Sequence, residues 1–222
     1  MLTRRRLFAG AAAATTAATA GCLGFGEERE VTSTYYYSVD VNPTAPVSDV
    51  TFYLPVPVRD GESAFSDAIT GDGIRPEEWS YAIVDTDRGP MLEIGIDELQ
   101  PESRPFNIEF DIASEDEIDT REALENEPTL QPKDDLQQVD CDFPHPDEWD
   151  DRLRCYTYEG AFYGTYEPTG TEVSLAARFT GENAWFTGGW NGNDYTDDVH
   201  GFVDGTGWTS ARGGVREGVG NY

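Results

Sequence analysis

Strict alternation of apolar and polar side chains is the feature that most constrains how this chain can fold. In residues 106–112, Phe and Ile occupy every second position, and Asn, Glu and Asp lie between them. Residues 31–41 and 50–58 show the same two-residue period. A period of two places alternate side chains on opposite faces of a β-strand, so these segments are predicted to be strands with one buried face. One-sided burial of this kind is typical of antiparallel sheets.

Helical patterns are rare in this sequence. Short helices are predicted within residues 60–70 and 120–126. Residues 141–151, around His145, are predicted to form a compact turn region with at most one helical turn after Pro146. Pro55 and Pro57 lie on the outward phase of the second strand and remove hydrogen-bond donors, so this strand is expected to lie at a sheet edge or to end its pairing early. The predicted fold class is all-β: an antiparallel, β-sandwich-like body with long loops and at most one or two short helices.

Composition divides the chain beyond residue 30 into three stretches. Residues 31–113 form an N-terminal β-rich part, and residues 114–140 form an acidic connection that is expected to be solvated. Residues 141–222 form a C-terminal β part with most of the glycines and many aromatic residues. Glycine close to aromatic residues is typical of tight hairpins and bulges. Residues 31–222 are either two such parts or one domain.

The chain is strongly acidic, with 43 Asp and Glu against 15 Lys and Arg and a net charge of −28. A hydrophobic share of 38% argues against a disordered acidic chain. At about 1 M salt the Debye length falls to roughly 3 Å, so surface carboxylates barely repel one another. These features predict a folded protein adapted to high salt. No basic patch is present, so nucleic acid is excluded as a partner.

The N-terminus has the features of an export signal. Arg4, Arg5 and Arg6 precede a weakly apolar stretch, residues 7–20. As a helix this stretch would be about 21 Å long, which is short of the roughly 30 Å hydrocarbon core of a membrane. It is therefore interpreted as an export signal rather than a permanent span.

Two motifs in this region resemble those of a known class. Residues 3–8 resemble the twin-arginine export motif, with Arg4 and Arg5 as the arginine pair. Ala20-Gly21-Cys22 resembles a lipobox, although Thr19 stands where a lipobox usually has Leu. Together they resemble the signal peptides of haloarchaeal twin-arginine lipoproteins.

This resemblance implies a location and a membrane partner. Residues 1–21 would be a signal peptide, Cys22 the site of lipid attachment, and residues 22–30 a lipidated tether. The protein would be held at the extracellular face of the cell membrane through its N-terminal lipid. The alternative is an uncleaved anchor helix with Cys22 an ordinary thiol, and it also leaves the body outside the cytoplasm.

Cys141 and Cys155 are predicted to form a disulfide. An exported body is a setting where a disulfide persists. Closing a loop between these residues would stabilise the fold by about 3 kcal/mol in the chain-entropy treatment. The alternative is two buried thiols. Neither cysteine belongs to a C-x-x-C pair, which gives no support to a zinc or redox site.

Residues 190–200 are the sharpest polar cluster. Oxygen ligands on a glycine-containing loop suit Ca²⁺, but the spacing does not match an EF-hand, and a polar hairpin turn explains the residues better. No metal site is therefore assigned, and Ca²⁺ is kept only as a weak cofactor candidate. Its ligands would be Asn191, Asn193, Asp194, Asp197 and Asp198.

Aromatic residues in the same region offer a second kind of site. A planar ring beside hydrogen-bonding groups is what recognition of a sugar requires. The alternative is that these aromatics fill a glycine-rich core. The residues predicted to bind a ligand are Trp185, Trp190, Asn193, Asp194, Tyr195 and Trp208.

Catalytic motifs are missing from the sequence. It has no nucleophile elbow, P-loop, His-Glu-x-x-His motif or suitably placed dinucleotide fingerprint. The leading hypothesis is a non-enzymatic binding module of the cell envelope, whose partner is an envelope protein or a glycan. The alternatives are a structural or assembly component without a small-molecule site, and an exported carboxylate-dependent hydrolase.

Overall fold

A computed structural model describes residues 30–71, 76, 78–102, 105–141 and 153–221. The predicted export motif, Arg4 and Arg5, and the predicted lipid-attachment site, Cys22, lie outside these residues. The turn region predicted around His145 also lies outside them.

Strands dominate the described residues, and the all-β prediction is confirmed. This part of the chain contains two short helices, α1 (Ser66–Thr70) and α2 (Ala123–Asn126). The strands are β1 (Val31–Pro43), β2 (Val47–Arg59), β3 (Glu62–Ser63), β4 (Ser80–Thr86), β5 (Gly89–Leu99), β6 (Phe106–Ser114), β7 (Thr129–Gln131), β8 (Asp134–Val139), β9 (Arg154–Glu167), β10 (Val173–Phe186), β11 (Trp190–Val203) and β12 (Gly207–Gly220).

The strands form one curled antiparallel sheet in the order β4-β5-β2-β9-β12-β11-β10-β1-β6. Strands β3 and β7 also pair with β2, and β8 pairs with β9. The curl brings distant strands face to face: Tyr37 on β1 donates a hydrogen bond to the carbonyl of Pro55 on β2, although these strands lie five places apart in the sheet. Strands from both predicted β-rich parts belong to this one sheet.

The alternation seen in the sequence sets the two faces of the sheet. In β1, Tyr35, Tyr37 and Val39 are buried, and the residues between them are more exposed. The inward residues of the other long strands join the same core, and they include Phe52, Leu54, Phe162, Leu175, Phe179 and Val199. The core therefore lies inside the curl, and the outward phase of each strand forms the surface.

The position of β2 differs from the sequence prediction. The strand is central, because it pairs with both β5 and β9. The expectation of an edge position is therefore wrong, and so is that of early termination. The β9 ladder ends at Tyr53 and Tyr163, but residues 56–58 then pair with β7. Pro55 lies just beyond the end of the β9 ladder, so its missing N–H costs no bond to β9.

The acidic connection is not solvated throughout. Its portion from residue 115 to 133, here called the inner segment, contributes Ile118, Ala123 and Leu130 to the core. The prediction of a solvated stretch is wrong for these residues. The prediction was based on the acidic composition of the segment, but its few apolar side chains are the ones that point inward.

Cys141 and Cys155 form the predicted disulfide, with their Cα atoms 5.3 Å apart. Cys155 lies in β9 and pairs in register with Val139 of β8. The bond therefore joins the end of β8 to the strand beside it.

Neither helix of the described residues has the length and apolar character needed to cross a membrane.

Candidate functional site

The residues considered as Ca²⁺ ligands do not converge. They lie on β11, a strand whose register with β12 shifts between Asp194 and Thr196, and not on a loop. Asn193 and Asp197 are buried on the inner face, whereas Asp194 and Asp198 occupy the alternate positions. Asn191 bonds to Thr187 and Gly189 at the adjacent turn. Among all described residues, no group of three or more His, Cys, Asp or Glu side chains is placed to hold a metal ion.

Asp197 is instead the centre of a buried polar cluster. Its carboxylate forms an ion pair with Lys133, the only lysine in the chain, and accepts hydrogen bonds from Tyr158 Oη at 2.7 Å and from the Leu130 N–H at 2.8 Å. Burial raises the pKa of Asp197 and lowers that of Lys133, and the charge of each partner opposes the shift of the other. The cluster binds strand β11 to the inner segment.

Asn193 and its neighbour Asn183 also serve the inner segment. Asn193 accepts hydrogen bonds from Thr120 Oγ1 and from the Asn183 amide, each at 2.8 Å. Asn183 bonds to both the N–H and the carbonyl of Ile118. These amides are held by the protein itself, which is typical of a structural role.

Two glutamates complete the attachment of the inner segment. Glu127 accepts hydrogen bonds from Tyr35 Oη at 2.6 Å and Arg59 at 2.8 Å. Glu217 of β12 pairs with Arg154 at 3.0 Å and accepts the Leu124 N–H at 3.1 Å. Of the buried side-chain polar atoms in the described residues, Ser63 Oγ alone has no partner. The other buried side-chain polar atoms of these residues all have partners.

The predicted aromatic site is divided among three places. Trp185 and Tyr195 are buried, and Tyr195 donates a hydrogen bond to the Pro128 carbonyl. Trp190 is 79% exposed and lies in the hairpin tip, the name used here for residues 186–190 between β10 and β11. Trp208 lies on the outer face of β12.

Trp208 belongs to an outward-facing aromatic row with Tyr53 and Tyr163. The Tyr53 and Tyr163 rings are stacked with centroids 4.9 Å apart, and the Tyr163 and Trp208 rings meet edge to face at 5.4 Å. The three residues are cross-strand partners on β2, β9 and β12, which are adjacent in the sheet. All three are half-buried, so the row combines a fixed geometry with accessible ring surface.

Polar groups border the aromatic row at both ends. The Arg88 guanidinium lies 5.1 Å from the centre of the Trp208 ring. Glu93 pairs in register with Tyr53, and desolvation together with this carboxylate raises the pKa of the Tyr53 phenol. Arg88 also lines a groove of about 570 Å³ that includes Arg59 and Glu125. The row can therefore offer ring faces and hydrogen-bonding groups together.

The sequence prediction missed Tyr53 and Tyr163. Each lies beside a buried residue, Phe52 or Phe162, and therefore on the outward phase of its strand. A large aromatic residue on the outward phase of a strand was the available signal. Their convergence was not predictable, because 110 residues separate them in the chain.

Comparisons with protein-family models, curated proteins and solved structures found no significant match to this chain.

Proposed function

We propose that this chain is a non-enzymatic binding protein of a halophilic archaeon's cell surface, anchored by a lipid on Cys22, and that it binds envelope glycan through the aromatic row. The observation that carries the proposal is the alignment of Tyr53, Tyr163 and Trp208 on three adjacent strands of the outer face. Localisation is supported by the N-terminal motifs.

The chemistry of the row suits a sugar. The apolar faces of pyranose rings stack on aromatic rings, and their hydroxyls need a few oriented polar partners. Glu93 and Arg88 supply such partners at the ends of the row. In concentrated salt the attraction between separated charges is screened, so a partner is better held by ring stacking and short hydrogen bonds than by net charge.

The interior supports binding over hydrolysis. Asp197 and Glu217, the two most buried carboxylates, hold internal cations and backbone N–H groups. Neither is positioned on the outer face beside the aromatic row. Neither is therefore available as an acid or base for a sugar bound on the row.

Binding can be tested on the purified protein in molar NaCl. The probes are envelope polysaccharide from the same cells and a panel of linear hexose oligosaccharides, measured by calorimetry. We expect Tyr163→Ala and Trp208→Ala each to weaken binding about tenfold, which corresponds to about 1.4 kcal/mol. Tyr36→Ala is the matched control, because Tyr36 is an outward tyrosine of β1, 39% exposed and outside the row.

Two results would contradict the glycan proposal. One is the absence of binding to every polysaccharide and oligosaccharide probe. The other is an equal loss in the Tyr36→Ala control. The second candidate is a structural envelope component. It is favoured by a polar core in which, among the described residues, every buried side-chain polar atom except Ser63 Oγ has a partner. The first result, with envelope defects on deletion of the gene, would support it.

A further inference from the structure

We propose that the hairpin tip, through Phe186 and Trp190, rests on the lipid surface to which the chain is anchored. Phe186 is 62% exposed and Trp190 is 79% exposed, and their rings pack edge to face with centroids 5.7 Å apart. The inference rests on the proposed membrane location, and it assigns to the body a contact of its own beyond the lipid on Cys22.

The tether enters the body beside the hairpin tip. The first residue of β1, Val31, pairs in register with Trp185, next to the tip. The chain therefore enters the body at the same end of the sheet as the tip. The nine residues from Cys22 to Glu30 span at most about 30 Å when fully extended. A lipid on Cys22 would hold this end of the body close to the membrane.

The hairpin tip projects beyond the end of strand β6. Strand β6 ends at Ser114, which lies level with Ser33 and, through it, with Asn183. Beyond Asn183 the β10–β11 hairpin continues for three more residues before its turn, a projection of about 10 Å. The two aromatic rings therefore extend past the end of β6.

The hairpin tip and the residues beside it carry no charged side chains. The whole stretch from residue 183 to 193 contains no Asp, Glu, Lys or Arg, in a chain with a net charge of −28. Tryptophan is favoured at a membrane interface, because its apolar ring enters the lipid boundary while its N–H stays hydrated. Membrane binding strengthens with the apolar area that is buried, so a contact by these rings would add to the retention that the lipid on Cys22 provides.

The experiment uses the protein purified from the membrane fraction and placed on vesicles of phosphatidylcholine and phosphatidylglycerol whose acyl chains carry bromine. Bromine quenches a tryptophan only at short range. In 2 M NaCl we expect quenching in the wild type and its loss in Trp190→Phe. Trp208→Phe is the matched control and should retain the quenching, because Trp208 lies in the aromatic row on the side of the sheet.

A second measurement follows retention on the membrane. Transfer of the protein between vesicles should be about tenfold faster in the Phe186→Ser/Trp190→Ser double variant, since the variant loses the burial of two aromatic rings. Phe202→Ser should leave the rate unchanged. Phe202 is 54% exposed but lies twelve residues further along β11, roughly 40 Å from the tip.

Mass spectrometry of the N-terminal peptide from the same sample separates the two proposals. Quenching of Trp190 without lipid on Cys22 would reject the anchor and support the tip contact. Lipid on Cys22 without quenching of Trp190 would keep the anchor and overturn the tip contact. If Trp190 is unquenched in the wild type and the double variant loses glycan binding, the tip contact is overturned in favour of a glycan site at the tip.

Discussion

Asp197 and Asp198 are neighbours in the chain and have opposite environments. Asp197 points inward and has no exposure to solvent, whereas Asp198 belongs to the outward phase of β11. The inward carboxylate is tolerated because Lys133, Tyr158 and the Leu130 N–H all bind it. A buried ion pair contributes little net stability compared with apolar residues, but removing one partner is costly.

Replacement of Asp197 should therefore be far more damaging than replacement of Asp198. We expect Asp197→Ala to lower the free energy of unfolding by about 3–5 kcal/mol, because it leaves the Lys133 ammonium buried without a counter-ion. Asp198→Ala should change it by no more than about 0.5 kcal/mol. Urea unfolding at constant high salt measures both, and similar losses in the two variants would contradict the role given to Asp197.

Asp194 gives a pH-dependent prediction. Desolvation, reinforced by Glu182 and opposed by Arg216, raises the pKa of Asp194 to about 6. In the unfolded chain an aspartate has a pKa of about 3.9. Between these values the folded state binds more protons than the unfolded state, so the contribution of Asp194 to the free energy of unfolding falls as the pH rises from about 4 to about 6.

The Asp194→Asn variant isolates this effect. It should be more stable than the wild type at pH 7, because the unfavourable charge is gone, and the gain should shrink as the pH is lowered to about 4. Urea unfolding at several pH values gives the difference between the two proteins. A difference that is constant from pH 4 to pH 7 would show that Asp194 does not titrate in this way.

At the scale of the strands, two glycines make room for buried tyrosines. A Cβ at Gly213 of β12 would overlap the ring of Tyr158, and one at Gly181 of β10 would overlap the ring of Tyr195. Both tyrosines are buried and hydrogen-bonded through their hydroxyls, so neither ring can move aside freely. Glycine is thus required where a large ring crosses a neighbouring strand.

Gly213→Ala should therefore destabilise the protein. We expect a loss of about 1–3 kcal/mol or more, because overpacking would displace Tyr158 from Asp197. Gly205→Ala is the matched control: an added Cβ at Gly205 meets no atom within 4 Å, and the change should be neutral or slightly stabilising. Thermal unfolding of the two variants tests the prediction, and equal midpoints would contradict it.

The sequence predicted the positions of several strands, but it did not predict the side-chain contacts between strands. Alternation identified β1, β2 and β6 and the face that each one buries, because that signal is local. The glycines were assigned to hairpins and bulges, whereas Gly181 and Gly213 lie within strands under rings from other elements. Such a requirement depends on cross-strand partners, which a single sequence does not reveal.

The candidate sites show the same limit. Trp190 and Trp208 were grouped because they are close in the sequence, but strand β11 and the following turn separate them in space. Tyr53 joins Trp208 only through the pairing of β2 with β9 and of β9 with β12. The burial of the inner segment was also unpredictable, because its acidic composition gave no sign that Glu127 bonds to Tyr35 and Arg59.

The whole molecule has distinct surfaces for its two proposed contacts. The hairpin tip is at the end of the sheet where β1 begins, and the aromatic row lies on the outer face of β2, β9 and β12. A body resting on the membrane at the tip would leave the row facing sideways, accessible to glycan above the lipid. Lipid contact and glycan binding would therefore be compatible in one molecule.

The net charge of −28 leads to a prediction for the molecule as a whole. Its acids repel one another over about 10 Å at 0.1 M salt and over only about 3 Å at 1 M salt. The unfolding midpoint at pH 7 should rise steeply between these salt concentrations, by about 2–4 °C for each kcal/mol gained by a chain of this size. Near pH 4 about half of the carboxylates are protonated, so the same salt increase should raise the midpoint much less.

Calorimetry at each combination of salt concentration and pH tests the prediction, with sucrose in place of NaCl as the uncharged control. An equal rise at both pH values would attribute the stabilisation to exclusion of solute from the surface instead of screening.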